Sequence, residues 1–237
     1  MTAPSLELRD LHAGYGRIEV LRGIDLVVPA GSVFALLGPN GAGKTTTLKV
    51  IDGRVPATSG CVHIAGTHVN GASTDDLARS SVCAIPEGRG VFANLTVGEN
   101  LRMMTYADRR LRADDVEERA YARFPILGER RRQLAGTMSG GQQQMLAMAR
   151  AIVSDPSLLL VDELSMGLAP LIVDELYEVL GQLAADGMSV LLVEQFARTA
   201  LRIADYAANL VQGRIAHIGE PADLEEAISA SYLGASA

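Results

Sequence analysis

The sequence predicts an α/β fold with an antiparallel β part at the N-terminus, an inserted helical part and a core of parallel strands. The first third of the chain consists of short apolar or alternating segments that Gly and Pro interrupt. The middle third has helical patterns and is dense in Arg and Glu. In the last third, strand-like and helix-like segments alternate, which is typical of a doubly wound parallel sheet.

The composition is that of a soluble globular protein, with 237 residues, 48% hydrophobic and 21% charged. The formal charge of −7 disfavours broad contact with nucleic acid, so we expect no nucleic-acid partner. No apolar run approaches the roughly 18 residues that cross a bilayer. The N-terminus also lacks the basic region and apolar core of a signal peptide. We therefore expect a cytoplasmic protein without a transmembrane segment.

Cysteine and histidine show no metal-binding pattern in the sequence. Cys61 and Cys83 are the only cysteines, and their spacing favours buried thiols in a reducing compartment. The histidines are scattered and predict no ligand pair; they are His12, His63, His68 and His217.

The elements follow in a clear order along the chain. "LELRDLHAGYG", "IDLVVPAG" and "CVHIAGTHV" predict strands, and "NLTVGENLRMM" begins a helix with Thr96 and Glu99 in a capping-box spacing. Later, "LLLVDE" and "SVLLVEQ" predict buried strands, each followed by a helix, "PLIVDELYEVLGQLAADG" and "FARTALRIA". "YAANLVQGRIAHIG" predicts a hairpin that turns near Gly213. We expect one domain with three parts, about 1–90, 91–153 and 154–237.

The segment "VFALLGPNGAGKTTTLKV" fits a phosphate-binding loop, Gly38-x4-Gly43-Lys44-Thr45, between a buried strand and a helix. Backbone N–H groups of such a loop point at phosphate oxygens, and the helix adds its positive end. Lys44 would bind the β- and γ-phosphates, and the Thr45 hydroxyl would ligate Mg²⁺. The alternative is a plain Gly-rich turn. The candidate ATP-binding residues are Gly38, Pro39, Asn40, Gly41, Ala42, Gly43, Lys44, Thr45 and Thr46.

The segment "LLLVDELSMGLAP" places Asp162 and Glu163 directly after a buried strand. Two acids at such a place are costly unless a cation meets them, although they could also be solvated residues that start a turn. With a phosphate loop in the same chain, Asp162 fits the acid that holds Mg²⁺. Glu163 would then orient and polarise the attacking water.

The segment "MSGGQQQMLAMARAI" predicts a second anion site at a helix N-terminus. Ser139 can cap a helix from about Gln142 to Ser154, and Gly140 and Gly141 leave the backbone accessible. One nucleotide does not easily need both loops, but two chains facing each other could share two nucleotides. Taken alone, the segment fits a simple capped helix better than an anion site.

Together, "GPNGAGKTT", "SGGQ" and "LLLVDE" in this order resemble the ATP-binding subunits of ABC transporters, over essentially the whole chain. The resemblance implies a P-loop NTPase (RecA-like) core of the ABC ATPase type, in a head-to-tail dimer that clamps two Mg-ATP. It implies that Tyr15 stacks on adenine. It also implies that a second anion-binding segment contacts the γ-phosphate bound by the partner chain; its residues are Ser139, Gly140, Gly141 and Gln142.

Four positions depart from the general pattern of that family. Glu87 stands where Gln is usual, and a carboxylate can still ligate Mg²⁺ or hold a water. Gln195 stands where His is usual; its amide can brace a γ-phosphate and the water but cannot carry a proton as imidazole does. Ala169 occupies a place often held by Asp. Leu164 replaces the usual Pro after Glu163, and the sequence offers no functional reason for it.

Three longer segments narrow the resemblance. "PEGRGVFANLTVGENL", "SMGLAPLIV" and "LLVEQ" closely resemble one of the two ATPase subunits of branched-chain amino acid importers, and Glu87, Ala169 and Gln195 agree with that pattern. The resemblance implies catalytic roles for Lys44, Glu163 and Gln195. It implies three kinds of partner. These are a second ATPase subunit, preferably a paralogue, two permease subunits and an extracytoplasmic solute-binding protein. Residues 87–94 of this chain would contact the permease.

The expected place of the chain is the cytoplasmic face of the inner membrane, reached through the permease. Three alternatives stay open at this point. Related importers take up urea or another small solute. Some ABC ATPases are soluble machines of DNA repair or translation, which the acidic charge and the single domain disfavour. A module that holds ATP without turnover would fit Leu164 and Gln195 but not Glu163.

Overall fold

The computed structural model describes residues 3–88, 90–107 and 111–225. The strands in these parts are β1 (Leu6–Tyr15), β2 (Ile18–Val28), β3 (Val33–Leu37), β4 (Ala57–Ile64), β5 (Thr67–His68), β6 (Val82–Ile85), β7 (Leu158–Asp162), β8 (Ser189–Glu194), β9 (Tyr206–Val211) and β10 (Arg214–Gly219). The helices are α1 (Lys44–Ile51), α2 (Thr74–Arg79), α3 (Val97–Arg102), α4 (Met104–Ala107), α5 (Ala113–Arg123), α6 (Pro125–Glu129), α7 (Gly140–Ile152), α8 (Pro170–Ala185) and α9 (Ala197–Leu201), with a 3₁₀ turn at Ala135–Thr137.

The strands form two sheets. The first is antiparallel, in the order β2-β1-β4-β5. The second has the order β10-β9-β3-β8-β7-β6, in which five strands are parallel and the edge strand β10 is antiparallel. The predicted α/β fold with an antiparallel β part is therefore confirmed.

The core sheet is covered on both faces, which explains its continuous apolar strands. Every residue of β3, β7 and β8 is buried. In β7, Leu159 and Val161 pack with the helical part and α8, whereas Leu158 and Leu160 pack with the first sheet and α1. Side chains alternate between the two faces of a strand, so both faces of β7 must be apolar.

Three local signals in the sequence predict the boundaries of elements correctly. Thr96 and Glu99 form the expected capping box at the start of α3. The predicted hairpin near Gly213 is β9–β10, and α8 starts at Pro170. Within the described parts of the chain, no helix combines the length and apolar character needed to cross a membrane.

Several boundaries differ from the sequence-based expectation. α7 begins at Gly140 rather than near Gln142, because Ser139 is its N-cap and the next residue is already helical. "CVHIAGTHV" forms the end of β4 and the short β5, with a turn between them. This tight turn brings His63 and His68 opposite each other, with ring centroids 5.2 Å apart, although the sequence predicts no histidine pair.

Candidate nucleotide-binding site

The residues predicted for the phosphate loop, for Mg²⁺ and for catalysis lie at or just after the carboxyl ends of parallel strands. The phosphate loop follows β3, Glu87 follows β6, Asp162 ends β7, and Gln195 follows β8. These strands are neighbours in one sheet, so their carboxyl ends share one edge, the place where ligands bind in open α/β sheets.

The phosphate loop needs its glycines because the chain packs tightly around it. A Cβ on Gly38 would lie 2.3 Å from the Leu210 carbonyl oxygen. Gly43 has a φ of 112°, and a Cβ there would lie 2.8 Å from a methyl carbon of Leu21. Any larger residue at either position would displace backbone or core atoms.

The Lys44 side chain is buried against the phosphate loop. Its side chain is 4% exposed, and its Nζ donates to the carbonyl oxygens of Gly38, at 2.9 Å, and Pro39, at 3.3 Å. The same Nζ lies 3.4 Å from Glu163 Oε1. The ammonium group is thus held at the loop, where it can exchange a carbonyl or the carboxylate for a phosphate oxygen.

The loop tip and the start of α1 differ in exposure. Pro39, Asn40 and Gly41 are exposed, whereas Ala42, Gly43 and Thr46 are buried and Thr45 is half-buried. α1 starts without a side-chain cap, so the first amides of the helix are free to meet an anion.

Asp162 and Thr45 form a side-chain pair suited to a hard cation. Thr45 Oγ1 donates to Asp162 Oδ1 at 3.3 Å. Burial, together with the nearby charges of Glu163 and Glu87, raises the pKa of Asp162 to about 6. A buried carboxylate beside two others is the arrangement that a cation would stabilise.

The donor set fits Mg²⁺ bound jointly with a nucleotide. Among the described residues, no group of three or more His, Cys, Asp or Glu is arranged to hold a metal. Mg²⁺ prefers one or two carboxylates together with phosphate oxygens and water, so an all-protein cage is not needed. The Thr45 hydroxyl and the Asp162 carboxylate supply oxygen ligands of this kind, and Glu87 is exposed after β6.

Glu163 is held in an unusual backbone conformation at the end of β7. Its φ is 46°, in the left-handed region that non-glycine residues rarely adopt. Its N–H donates to the Val193 carbonyl at 2.9 Å, which continues the β7–β8 pairing by one residue. Such strain persists where the surroundings fix the residue, and it is frequent at active sites.

Leu164 has a structural explanation that the sequence alone did not provide. Its side chain is 1% exposed and belongs to the core cluster on the helical face of the sheet. Leucine at this position therefore adds apolar packing directly behind Glu163.

Gln195 and Tyr15 are both exposed. Gln195 follows β8, and among the described residues its side chain has no hydrogen-bond partner. Tyr15 ends β1 with 47% of its surface exposed. Its ring is therefore available to stack on a base, as the resemblance implies.

The second anion-binding segment, residues 139–142, forms the start of α7. Ser139 Oγ accepts from the Gln142 N–H at 3.3 Å, and Gln142 Oε1 accepts from the Ser139 N–H at 3.2 Å. Gly141 is buried, and a Cβ there would lie 2.7 Å from Ile172 of α8. Among the described residues, no hydrogen bond or ion pair joins this segment to the phosphate loop.

Asn100 and Arg150 organise the loop after Glu87, and sequence reasoning missed both. The fully buried Asn100 accepts from the Phe92 N–H and donates to the carbonyls of Phe92, Leu95 and Thr96. The Arg150 guanidinium lies over the Phe92 ring, 4.7 Å from its centroid, and donates to the Gly90 carbonyl. This loop is therefore attached to both α3 and α7.

Glu194 is a third residue of interest that sequence reasoning missed. It ends the buried strand β8 and is 1% exposed. The signal was present in the sequence, because "LLVE" places an acid at the end of an apolar strand just as "LLLVD" does.

The comparisons with known proteins agree on one family. The family model described as ABC transporter matches residues 21–165. The "High-affinity branched-chain amino acid transport ATP-binding protein BraG" of Pseudomonas aeruginosa is 45% identical over 205 residues, which cover 85% of this chain and 86% of that protein. The "Probable branched-chain amino acid transport ATP-binding protein LivF" of Archaeoglobus fulgidus is 36% identical over 217 residues, which cover 91% of this chain and 92% of that protein.

Solved structures agree with this result. A "Structure of ATP binding subunit of ABC transporter" is 31% identical, with a TM-score of 0.82 and coverage of 94% of this chain and 93% of that one. A nucleotide-free ATP-binding cassette has a TM-score of 0.84 at 22% identity, covering 95% of both chains, and supports the fold alone. The chain therefore belongs to the ABC transporter family.

Proposed function

We propose that this chain is the ATP-hydrolysing motor subunit of an importer for branched-chain amino acids. The observation that carries the proposal is that two pairs of interacting side chains lie together at one edge of the core sheet. Lys44 Nζ lies 3.4 Å from Glu163 Oε1, and Thr45 Oγ1 lies 3.3 Å from Asp162 Oδ1. Within the ABC transporter family, the two relatives described above are named for branched-chain amino acid transport.

The proposed mechanism uses positioning and charge neutralisation. Bound Mg²⁺ would neutralise phosphate charge, and Thr45 and Asp162 would hold it with support from Glu87. Lys44 exchanges its present contacts for phosphate oxygens. Glu163 accepts the proton of the attacking water.

Other residues would place the nucleotide. Gln195 donates an amide hydrogen bond to the γ-phosphate and orients the water, and Tyr15 stacks on adenine. The second anion-binding segment would meet the γ-phosphate held by a partner chain, because it has no polar contact with the phosphate loop of its own chain among the described residues.

The proposed assembly contains a second ATPase subunit, preferably a paralogue, in head-to-tail contact. Two membrane permease subunits hold the pair at the cytoplasmic face of the membrane. The proposed contact with them is the loop after Glu87, which is attached to α3 and α7. An extracytoplasmic solute-binding protein delivers the solute. ATP binding closes the pair, and hydrolysis reopens it.

The experiment that tests the function is uptake of labelled leucine in cells that lack this chain. The cells are complemented with the intact protein, Lys44→Ala, Lys49→Ala or nothing. We expect uptake with the intact protein and with Lys49→Ala, because Lys49 is the only other lysine and lies outside the loop. Uptake that never depends on this chain would refute the solute assignment and make urea the next label.

A second experiment tests the chemistry separately from the solute. Glu163→Gln should leave ATP bound and lower the hydrolysis rate at least roughly a hundredfold, the usual scale of acid–base catalysis. The measurements are nucleotide binding by the purified protein and phosphate release by the assembled transporter. Near-normal turnover would remove Glu163 from the role of base.

A further inference from the structure

The buried carboxylate of Glu194 joins three separate elements. Its Oε1 accepts from the Ser165 N–H at 3.0 Å and from the Tyr177 hydroxyl at 2.7 Å. Its Oε2 accepts from Ser165 Oγ at 2.8 Å. Glu194 ends β8, Ser165 lies in the loop after β7, and Tyr177 lies in α8.

These contacts are well isolated from solvent. Glu194 is 1% exposed, and Tyr177 is 3% exposed. Burial raises the pKa of Tyr177, and the adjacent Glu194 charge and hydrogen bond raise it further, so the hydroxyl keeps its proton and remains a donor. Three donors to one buried carboxylate form a strong and geometrically fixed group.

The position of this group in the chain connects it to the chemistry. Ser165 is two residues after Glu163, the proposed base, and Glu194 immediately precedes Gln195. Glu163 itself has a φ of 46°; its N–H donates to the Val193 carbonyl, and its own carbonyl accepts from the Met166 N–H at 3.3 Å. The strained residue is therefore fixed by two contacts with the end of β8, one from its own N–H to Val193 and one from Ser165 to Glu194.

We propose that Glu194, with Ser165 and Tyr177, is a positioning group that holds Glu163 in its catalytic orientation. The proposal rests on the proposed ATPase function. None of these three side chains needs to touch ATP: the carboxylate fixes the loop, and the loop fixes the base. Displacing a reacting group by about 1 Å typically costs around a hundredfold in rate.

The test compares Tyr177→Phe and Ser165→Ala with a matched control, Tyr121→Phe. Tyr121 also donates its hydroxyl to a carboxylate, Glu117 at 3.1 Å, but lies in the helical part. Each change is made in the intact chain and in Glu163→Gln. The measurements are kcat and KM for ATP of the assembled transporter and the thermal unfolding midpoint of the full-length protein.

We expect Tyr177→Phe and Ser165→Ala to lower kcat roughly tenfold, with KM for ATP within about twofold, because the loop shifts the base without removing phosphate contacts. In Glu163→Gln the same changes should alter the residual rate less than about twofold, since no base is left to misplace. Tyr121→Phe should leave kcat unchanged. Glu194→Gln, which places an amide N–H₂ against these donors, should lower kcat further.

Two outcomes would overturn the proposal. One is unchanged kcat in both Tyr177→Phe and Ser165→Ala. The other is an equal loss with and without Glu163, which would indicate a general structural effect. If Glu163→Gln hydrolyses ATP as fast as the intact chain, the proposed base itself is wrong, which is a different failure.

Discussion

At the scale of single residues, the site depends on charges brought together at the end of one sheet. Asp162 lies among two other carboxylates and one ammonium group, and burial raises its pKa to about 6 from an ordinary value of 3.8. Its charge is therefore costly in the nucleotide-free protein. A cation would remove this cost, so Asp162 couples stability, pH and Mg²⁺.

This coupling predicts a pH dependence with a definite sign. Because the folded pKa lies above the unfolded one, the contribution of Asp162 to stability is present below about pH 4 and is lost as pH rises through about 6. Without nucleotide, Asp162→Asn should have a higher free energy of unfolding in urea than the intact chain. This difference should be larger at pH 7.5 than at pH 5. An equal difference at both pH values would contradict this.

Although Asp162→Asn should stabilise the nucleotide-free protein, it should weaken metal binding. Mg²⁺ needs the ionised carboxylate, so Mg-ATP affinity of the intact chain should rise as pH increases through about 6. The affinity of Asp162→Asn should be weaker and less dependent on pH. Titration calorimetry at the same two pH values measures both effects.

At the scale of elements, two helices begin with the same device. α3 and α7 both start with a capping box, formed by Thr96 with Glu99 and by Ser139 with Gln142. Both were predictable from local spacing, because a capping box involves only four neighbouring residues. Only the Ser139 cap lies in a segment with a proposed role in catalysis.

The pair gives a matched test of that role. Ser139→Ala and Thr96→Ala should each lower the free energy of unfolding by about 1 kcal/mol, the usual cost of losing an N-cap. Only Ser139→Ala should also lower ATPase activity in the assembled transporter. Urea unfolding and phosphate release measure the two effects. Equal activity losses in both variants would assign Ser139 a purely structural role.

The elements also show why part of the site could be predicted and part could not. The phosphate loop, Asp162 and Glu163 follow a local pattern, so the sequence predicts them directly. Leu164 and Glu194 depend on packing between distant segments: Leu164 fills the core, and Glu194 binds residues 17 and 29 positions away. The sequence shows Glu194 as an acid at the end of an apolar strand, but not which residues it binds, because contacts between distant segments leave no periodic signal in a single sequence.

At the scale of the whole molecule, the phosphate loop is supported from several distant segments. The Ala42 carbonyl accepts from the Gly213 N–H at 2.9 Å, in the β9–β10 turn. The Gly213 carbonyl in turn accepts from the Arg22 N–H of β2 at 2.8 Å. Nucleotide binding to this loop should therefore stabilise both sheets together.

This predicts a thermal shift that requires Lys44. Mg-ATP at a hundredfold over its Kd should stabilise Glu163→Gln, which hydrolyses slowly, by about 2.7 kcal/mol. Adding Lys44→Ala should abolish the shift, whereas adding Lys49→Ala should preserve it. The unfolding midpoint with and without Mg-ATP is the measurement. A shift that persists without Lys44 would refute its proposed contact with phosphate.

The β9–β10 turn also constrains the order in which the site is assembled during synthesis. β3 precedes the phosphate loop, yet its neighbours in the sheet, β8 and β9, are translated more than 140 residues later. The same holds for Gly213, whose N–H donates to Ala42 of the loop. A ribosome-bound chain that has emerged only through α7 carries β3 and the complete loop sequence but lacks β8, β9 and Gly213. The nucleotide site as the structure shows it is therefore complete only after the chain has emerged through Gly213.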